Sequence, residues 1–225
     1  VSHGLGMLLW VPILTSAHRP TSKARPMTGG STLNQRPRQS MGWRGGLAAG
    51  GGAAFILLLL SLGLRPDIAA ASLTAPFWVK WVFTLSLTVV GVALVRRLGQ
   101  PDGQVGWTGV AFAVPFAIVA MMALGELLLA PAPAREELVL GHTALRCAVS
   151  ILWLSAPLFA ACVWAFRRLA PTRLRLAGAA AGALSGAASA AVYAFSCPES
   201  SAAFMITWYS AGIVAAALLG AMLGP

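Results

Sequence analysis

Long apolar stretches constrain this chain more than any other feature of its sequence. A transmembrane helix needs about 20 apolar residues to cross about 30 Å of hydrocarbon, and the sequence offers six candidates. Because backbone polar groups must be satisfied within lipid, each stretch is predicted to be helical. The predicted fold is all-α: a polytopic membrane protein in the lipid bilayer, built as a six-transmembrane-helix bundle. The stretches run from Leu47 to Leu64, Phe77 to Val95, Trp107 to Leu129, Cys147 to Phe166, Leu174 to Phe195 and Ala203 to Leu223.

The composition also indicates a membrane protein. Hydrophobic residues make up 58% of the 225 residues and charged residues only 10%, against about 25% charged residues in a typical soluble domain. The net charge is +10, but the basic residues form short clusters between apolar stretches, as in membrane proteins. No DNA- or RNA-binding motif is present, so no nucleic-acid partner is predicted.

The distribution of Lys and Arg predicts the orientation. Twelve of the 16 Lys and Arg residues fall on one side of the apolar stretches and four fall on the other. Cytoplasmic segments carry the excess of positive charge, so both termini are predicted to be cytoplasmic. The four residues on the outer side are Arg65, Lys80, Arg135 and Arg146. Trp208 and Tyr209, near the outer end of the sixth stretch, are expected to be aromatic anchors at the membrane interface.

Residues 1–44 differ in composition from the rest of the chain. From Thr15 to Arg44 the sequence is rich in Pro, Ser, Arg, Gly and Gln, which is typical of disorder. We therefore expect a basic, disordered cytoplasmic tail (1–44) ahead of a membrane domain (45–225). The chain opens with valine, which suggests a misassigned start, with Met27 and Met41 as alternatives.

Gly178, Gly182 and Gly186 recur at four-residue spacing in the fifth apolar stretch. Small residues at this spacing let a second helix approach closely. The expected use is packing within one bundle, and the alternative is the seam of a homodimer.

Charged residues within the apolar stretches are almost absent, with Glu126 as the exception. At 1.5 Å per residue from Trp107, Glu126 lies about 28 Å along its helix. We expect a solvated or hydrogen-bonded carboxylate at the outer interface. Because transporters usually keep charged groups deep in the membrane, this scarcity argues against a transporter.

Two of the three cysteines are predicted to lie at the same depth. Cys147 opens the fourth apolar stretch and Cys197 follows the fifth, which puts both at the outer face. Cys162 lies about 22 Å further along its helix, so it is expected to be a small buried apolar residue. For Cys147 and Cys197 the sequence leaves three interpretations open: a structural disulfide, a redox- or metal-responsive pair, or two unrelated residues.

His142 and Glu199 lie close in sequence to these cysteines. Thiolate, imidazole and carboxylate groups together suit a soft metal ion. His142 and Glu199, and more distantly Glu126, are therefore accessory candidates for binding a metal or a proton.

Enzymatic activity is not favoured by the sequence. No Ser/His/Asp arrangement, phosphate-binding loop or HExxH motif is present, and no cofactor is predicted. A membrane thiol–disulfide oxidoreductase is the enzymatic alternative, but the usual C-x-x-C pair of such enzymes is missing.

Several segments together carry a resemblance to a known family. They are GLRPDIAAA (63–71), RCAVSILWLSAPL (146–158), LAPTRLRLAGAAAG (169–182), YAFSCPESSAAFMITWYSAG (193–212) and the closing GAMLGP. They resemble the NrsF-like family of bacterial membrane anti-sigma factors. The resemblance implies a six-helix inner-membrane protein that negatively regulates an extracytoplasmic-function sigma factor of the sigma-F type. It also implies that the cytoplasmic N-terminal segment holds the sigma factor. Two cysteines facing the periplasm, here Cys147 and Cys197, would sense heavy-metal or oxidative stress.

Overall fold

The computed structural model describes residues 36–100, 103–166 and 173–224, with the backbone alone for residues 36–44. All regular secondary structure in these residues is helical, which confirms the all-α prediction for this part of the chain. Most of the predicted tail lies outside the described residues, and the first helix begins at Arg36. The elements are α1 (Arg36–Ser61), α2 (Ile68–Ala71), α3 (Ala75–Leu98), α4 (Gly106–Leu129), α5 (Ala132–Leu140), α6 (Ala144–Phe166), α7 (Leu174–Tyr193), α8 (Ala202–Phe204), a π-helical turn (Met205–Tyr209) and α9 (Ser210–Leu223).

Five helical stretches of the described residues are long and apolar enough to cross a membrane. They correspond to the second to sixth stretches predicted from the sequence. The first differs, because the apolar part of α1, Gly45–Ser61, spans only about 26 Å at 1.5 Å per residue. The described residues therefore contain five candidate membrane-spanning helices where the sequence predicted six. The five are Ala75–Leu98, Gly106–Leu129, Ala132–Phe166, Leu174–Tyr193 and Ala202–Leu223.

Helix α7 lies at the centre of the bundle. Of the 18 consecutive residues that form the most apolar part of α7, 78% are buried within the protein, against 11% for the most apolar 18 residues of α4. Helices α1, α3, α6 and α9 all contact α7, whereas α4 turns most of its surface outward. Ala, Gly and Ser dominate α7, and such small side chains let several helices approach one backbone closely.

The glycine stripe of α7 determines how closely α9 approaches. A Cβ atom at Gly178 would collide with the carbonyl oxygen of Gly220, and one at Gly182 with that of Ala216. A Cβ atom at Gly186 would lie 3.0 Å from the Cα atom of Ile213. The stripe is thus packed against α9 of the same chain.

At one end of the bundle, which we call the cysteine end, α7 finishes and α6 begins. The chain runs from α7 to α8 through residues 194–201. Pro198 lacks a backbone N–H and disfavours continuation of the helix. Ser201 then caps α8, because its hydroxyl accepts hydrogen bonds from the backbone N–H groups of Ala203 (3.1 Å) and Phe204 (3.3 Å).

Helix α5 holds this connection from the side. The Ser201 hydroxyl donates to the carbonyl of Leu138 at 2.9 Å, and the indole N–H of Trp208 donates to the carbonyl of Val139 at 2.9 Å. Trp208 was expected only as an aromatic anchor at the membrane interface. Its hydrogen bond instead links the π-helical turn to α5.

We predict that Gly182→Ala destabilises the protein through the contact between α7 and α9. A new Cβ atom at this position has no room, and overpacking of this kind costs about 2 kcal/mol. The midpoint of thermal unfolding in detergent should fall by about 5 °C. Gly125→Ala on α4 is the matched control, because a Cβ atom there meets nothing within 4 Å. Equal midpoints for the two variants would contradict the proposed role of the stripe.

Candidate functional site

Cys147 and Cys197 meet at the cysteine end. Cys147 lies in the first turn of α6, Cys197 lies four residues after α7, and both are 0% exposed within one cluster of buried residues. Their thiols are within hydrogen-bonding reach of each other, and both cysteines are free. The structure therefore places together the two sulfurs that the sequence put at the same depth, as a pair of buried thiols that we call the dithiol.

Cys162 lies apart from this pair, as the sequence predicted. It is 1% exposed and belongs to a second buried cluster, with Val95 of α3 and Phe166 of α6. A buried thiol of this kind reacts slowly, because the thiolate is the reactive form and an apolar environment disfavours it. Cys162 is a useful internal reference for the dithiol.

The backbone carbonyl of Cys197 accepts hydrogen bonds from two cations. Lys80 Nζ donates at 3.1 Å and Arg65 Nη1 at 3.3 Å. Arg65 also forms a bidentate ion pair with Asp67, at 2.8 and 2.7 Å, and this pairing lowers the pKa of Asp67 and raises that of Arg65. The connection after α7 is thus tied to α3 and to the segment between α1 and α2.

Lys80 corrects an expectation from the sequence. Glu126 was expected to be the one charged residue within the apolar stretches. Lys80, although it falls within the second stretch, was counted only among the four basic residues of the outer side. Lys80 instead lies inside α3, is 1% exposed, and forms no ion pair in the described part of the chain. Sequence reasoning missed this buried lysine, although a charged residue inside an apolar stretch is visible in the sequence. Charges in such positions are costly and usually functional.

Tyr209 also faces Cys197. The sequence suggested an interfacial anchor, but Tyr209 is 0% exposed and its ring lies 6.0 Å from that of Tyr193, centroid to centroid. Its hydroxyl has no hydrogen bond of standard geometry within the described residues, and the sulfur of Cys197 is the polar atom beside it.

These neighbours favour the ionised form of Cys197, which lies in the connection between two candidate spans. The hydrogen bond from the Cys147 thiol is the largest influence, and the Lys80 ammonium and Tyr209 hydroxyl add to it. Together they lower the pKa of Cys197 against the opposing effect of burial. The two sulfurs of the dithiol are therefore not equivalent.

Glu199 and His142 occupy the rim of the cysteine end. Glu199 Oε1 accepts hydrogen bonds from the backbone N–H of His142 at 2.8 Å and from the Thr143 hydroxyl at 3.3 Å. Gly141 precedes this turn with φ +52°, and a Cβ atom there would lie 2.8 Å from the Glu199 carboxyl carbon. Glu199 therefore holds the turn before α6, and only glycine fits beside it.

The imidazole of His142 points outward, with 79% of the side chain exposed and Nδ1 4.0 Å from Glu199 Oε1. Within the described ranges, no three or more His, Cys, Asp or Glu side chains are grouped so as to hold a metal ion. The structure thus pairs Cys147 with Cys197 and His142 with Glu199, but it does not assemble the four groups into one metal site.

Glu126 supports the same connection from α4. Its Oε2 atom accepts a hydrogen bond from the backbone N–H of Ala203 at 3.0 Å, and it shares the proton of the Ser201 hydroxyl, 2.9 Å away, with the carbonyl of Leu138. A carboxylate next to the first N–H groups of α8 is favourable, because these groups lack partners within the helix. Glu126 is thus hydrogen-bonded, which is one of the two states expected from the sequence.

Comparison with known proteins places this arrangement in a family. The family model described as "Negative regulator of sigma F" (NrsF) matches residues 30–225. The probable anti-sigma-F factor NrsF of Azospira oryzae is 37% identical over 190 residues, which cover 84% of this chain and 86% of the relative. The anti-sigma-F factor NrsF of Caulobacter vibrioides is 38% identical over 178 residues, which cover 78% of this chain and 82% of the relative. No solved structure matches the chain. The chain therefore belongs to the NrsF family of negative regulators of sigma F.

Proposed function

We propose that this chain is a membrane-bound anti-sigma factor that binds a sigma factor and withholds it from transcription. The observation that carries this proposal is the family match over residues 30–225, together with relatives named as anti-sigma-F factors. The partner we propose is an extracytoplasmic-function sigma factor of the sigma-F type. It would bind on the cytoplasmic side, through the segment that precedes α1.

A six-span topology in the bacterial inner membrane, with both termini in the cytoplasm, fits this role. Helix α1 has 26 residues in total, or about 39 Å at 1.5 Å per residue, although its apolar part is shorter. It packs within the bundle: Leu58 is 0% exposed, and a Cβ atom at Gly50 would lie 3.2 Å from the Cα atom of Leu158 on α6. A crossing α1 would put its preceding segment on the same side as the C-terminus.

We further propose that the dithiol of Cys147 and Cys197 senses oxidative stress. The two thiols are close enough to interact, and they lie on different elements, α6 and the connection after α7. Formation of a disulfide would pull these elements together and change the packing of the bundle. Local chemistry that biases a packing equilibrium is a general way to release a distant partner.

The enzymatic alternative has less support. A thiol–disulfide oxidoreductase that acts on other proteins must present one sulfur to a protein substrate. Both sulfurs are 0% exposed, and the relatives are named as regulators. A buried dithiol suits a sensor that small oxidants reach through local opening.

The cysteine pair makes a direct prediction. Cys147→Ser and Cys197→Ser should each still hold the sigma factor but fail to release it on treatment with a thiol oxidant, because neither variant can form the disulfide. The measurement is capture of the tagged full chain in mild detergent, with the bound sigma factor quantified before and after oxidation. Cys162→Ser is the matched control and should release the sigma factor like the wild type. Release by Cys197→Ser at the wild-type level would rule out the disulfide mechanism.

The topology makes a second prediction. An N-terminal tag should be protected from external protease in intact spheroplasts and cleaved after lysis, since α1 crosses the membrane in the six-span arrangement. A reporter fused after Leu223 should be active in the cytoplasm, and one inserted after Leu140 should be active in the periplasm. An N-terminal tag that is cleaved in intact spheroplasts would support five spans. The N-terminal segment would then lie on the opposite side of the membrane from the proposed cytoplasmic partner.

A further inference from the structure

The dithiol is asymmetric in its surroundings. Both sulfurs lie in one buried cluster, but polar groups from several elements converge on Cys197. Two cations hold its carbonyl, at 3.1 and 3.3 Å, and the Tyr209 hydroxyl faces its sulfur without another partner in the described residues. This asymmetry bears on which sulfur reacts first.

The π-helical turn explains how Tyr209 reaches this position. Residues Met205–Tyr209 form i→i+5 hydrogen bonds, which insert one extra residue into the helix. Such an insertion rotates the side chains on either side by about 100° relative to each other, and single π turns are frequent at functional sites. Tyr209, at the end of the turn, is thereby brought to the buried face that contains Cys197.

A buried hydroxyl without a partner needs an explanation, because leaving one unpaired is costly. A phenol replaced by a phenyl ring would fill nearly the same space without that cost. The Tyr209 hydroxyl is therefore best explained by a partner that it has in one state of the site. A thiolate at Cys197 would accept its hydrogen bond, and charged acceptors form the stronger bonds.

We propose that Tyr209, presented by the π-helical turn, is the positioning residue that makes Cys197 the attacking sulfur of the dithiol and leaves Cys147 as the resolving sulfur. This inference rests on the proposed function, because it assigns roles within the proposed sensor. Lys80 and Arg65 assist by fixing the backbone of Cys197, so that its sulfur stays between Tyr209 and Cys147.

The reaction with a low-molecular-weight disulfide then proceeds in two exchanges. The Cys197 thiolate attacks one sulfur of the oxidant, forms a mixed disulfide and releases the first small thiolate. Cys147 loses its proton and attacks the sulfur of Cys197, which releases the second small thiolate. The two protein thiols lose two electrons and two protons in total, and the oxidant is reduced to two thiols, so the step balances.

A small reagent has a place to approach. A cavity of about 270 Å³ at the cysteine end is lined by Arg65, Lys80 and Pro198, and Pro198 directly follows Cys197 in the chain. Neither cysteine lines this cavity, but the residue after Cys197 and the two side chains bonded to its carbonyl do. The cavity thus favours approach from the side of Cys197.

The test compares alkylation rates of individual cysteines in the purified full chain. Iodoacetamide is added in detergent over a range of pH, and modification of each cysteine is quantified by mass spectrometry. In the wild type, Cys197 should react before Cys147 and before the reference Cys162. The titratable or charged groups that face Cys197 are Cys147 on α6, Lys80 on α3, Arg65 after α1, Tyr193 on α7, Glu199 in its own connection and Tyr209.

Tyr209→Phe should slow alkylation of Cys197 about tenfold at pH 7 and shift the midpoint of its pH profile upward by about one unit, because the thiolate loses a hydrogen bond. Near pH 10 its rate should approach that of the wild type, since the thiolate then forms without help. Tyr193→Phe is the matched control: the Tyr193 hydroxyl has Ser150 as its side-chain hydrogen-bond partner and not the Cys197 sulfur, so its removal should leave the profile of Cys197 unchanged. A purely structural role of Tyr209 would instead change the rates of Cys147 and Cys162 at every pH.

Two results would overturn the inference: an unchanged pH profile of Cys197 in Tyr209→Phe, or a wild type in which Cys147 reacts first. The second needs no variant, so poor folding of Tyr209→Phe cannot obscure the answer. Capture of the sigma factor is measured in parallel. If the sigma factor is held and released normally while Cys147 reacts first, only the assignment of roles fails. If no sigma factor is ever bound, the proposed function fails independently of the alkylation order.

Discussion

The carbonyl of Cys197 is the point on which the cysteine end of the bundle depends. Residues 194–201 interrupt the helices between two candidate membrane-spanning stretches, and irregular backbone in such a place must find partners within the protein. Lys80 and Arg65 satisfy this carbonyl, and the backbone N–H of Arg65 satisfies the carbonyl of Phe195 at 3.1 Å. The same bonds place the Cys197 sulfur against Cys147. The hydrogen bonds that satisfy the backbone of this connection therefore also hold the two cysteines together.

The centre of the bundle obeys a different constraint. Within a membrane the hydrophobic effect does not drive helices together, so close packing must hold them. Helix α7 meets this requirement with side chains so small that backbone contacts backbone, as Gly178 and Gly182 do against α9. Ser189 adds a hydrogen bond from α7 to the carbonyl of Ile151 on α6, at 2.9 Å. The interfaces of α7 are consequently tight, with little room to absorb a displacement.

The sequence predicted those features that depend on one helix at a time. Hydropathy located five candidate spans, because lipid contact requires continuous apolar stretches, and depth counting put Cys147 and Cys197 at the same depth. Sequence reasoning failed for residues whose roles depend on tertiary contacts. Lys80 reaches a carbonyl 117 residues away, a pairing that no local pattern reveals. Tyr209 was expected to be an interfacial anchor because it lies near the outer interface, and its local sequence does not reveal the π-helical turn. His142 lies five residues before Cys147, yet the turn at Gly141 directs its imidazole outward.

These two constraints, taken together, suggest how a signal would cross the bundle. The backbone N–H of Cys197 is bonded to the carbonyl of Tyr193 at 3.1 Å, so the dithiol is joined directly to the last turn of α7. A disulfide would draw that turn toward α6. Because the glycine contacts leave no free space between α7 and α9, local side-chain adjustment cannot absorb the displacement. Closely packed interfaces change between discrete arrangements and do not deform continuously. A shift of α7 as a rigid element would carry the change from the cysteine end to the opposite end, where Arg173 and Arg175 begin the helix. On this argument the glycine stripe serves the proposed sensor as well as the fold, since a looser interface would absorb the movement that the dithiol produces.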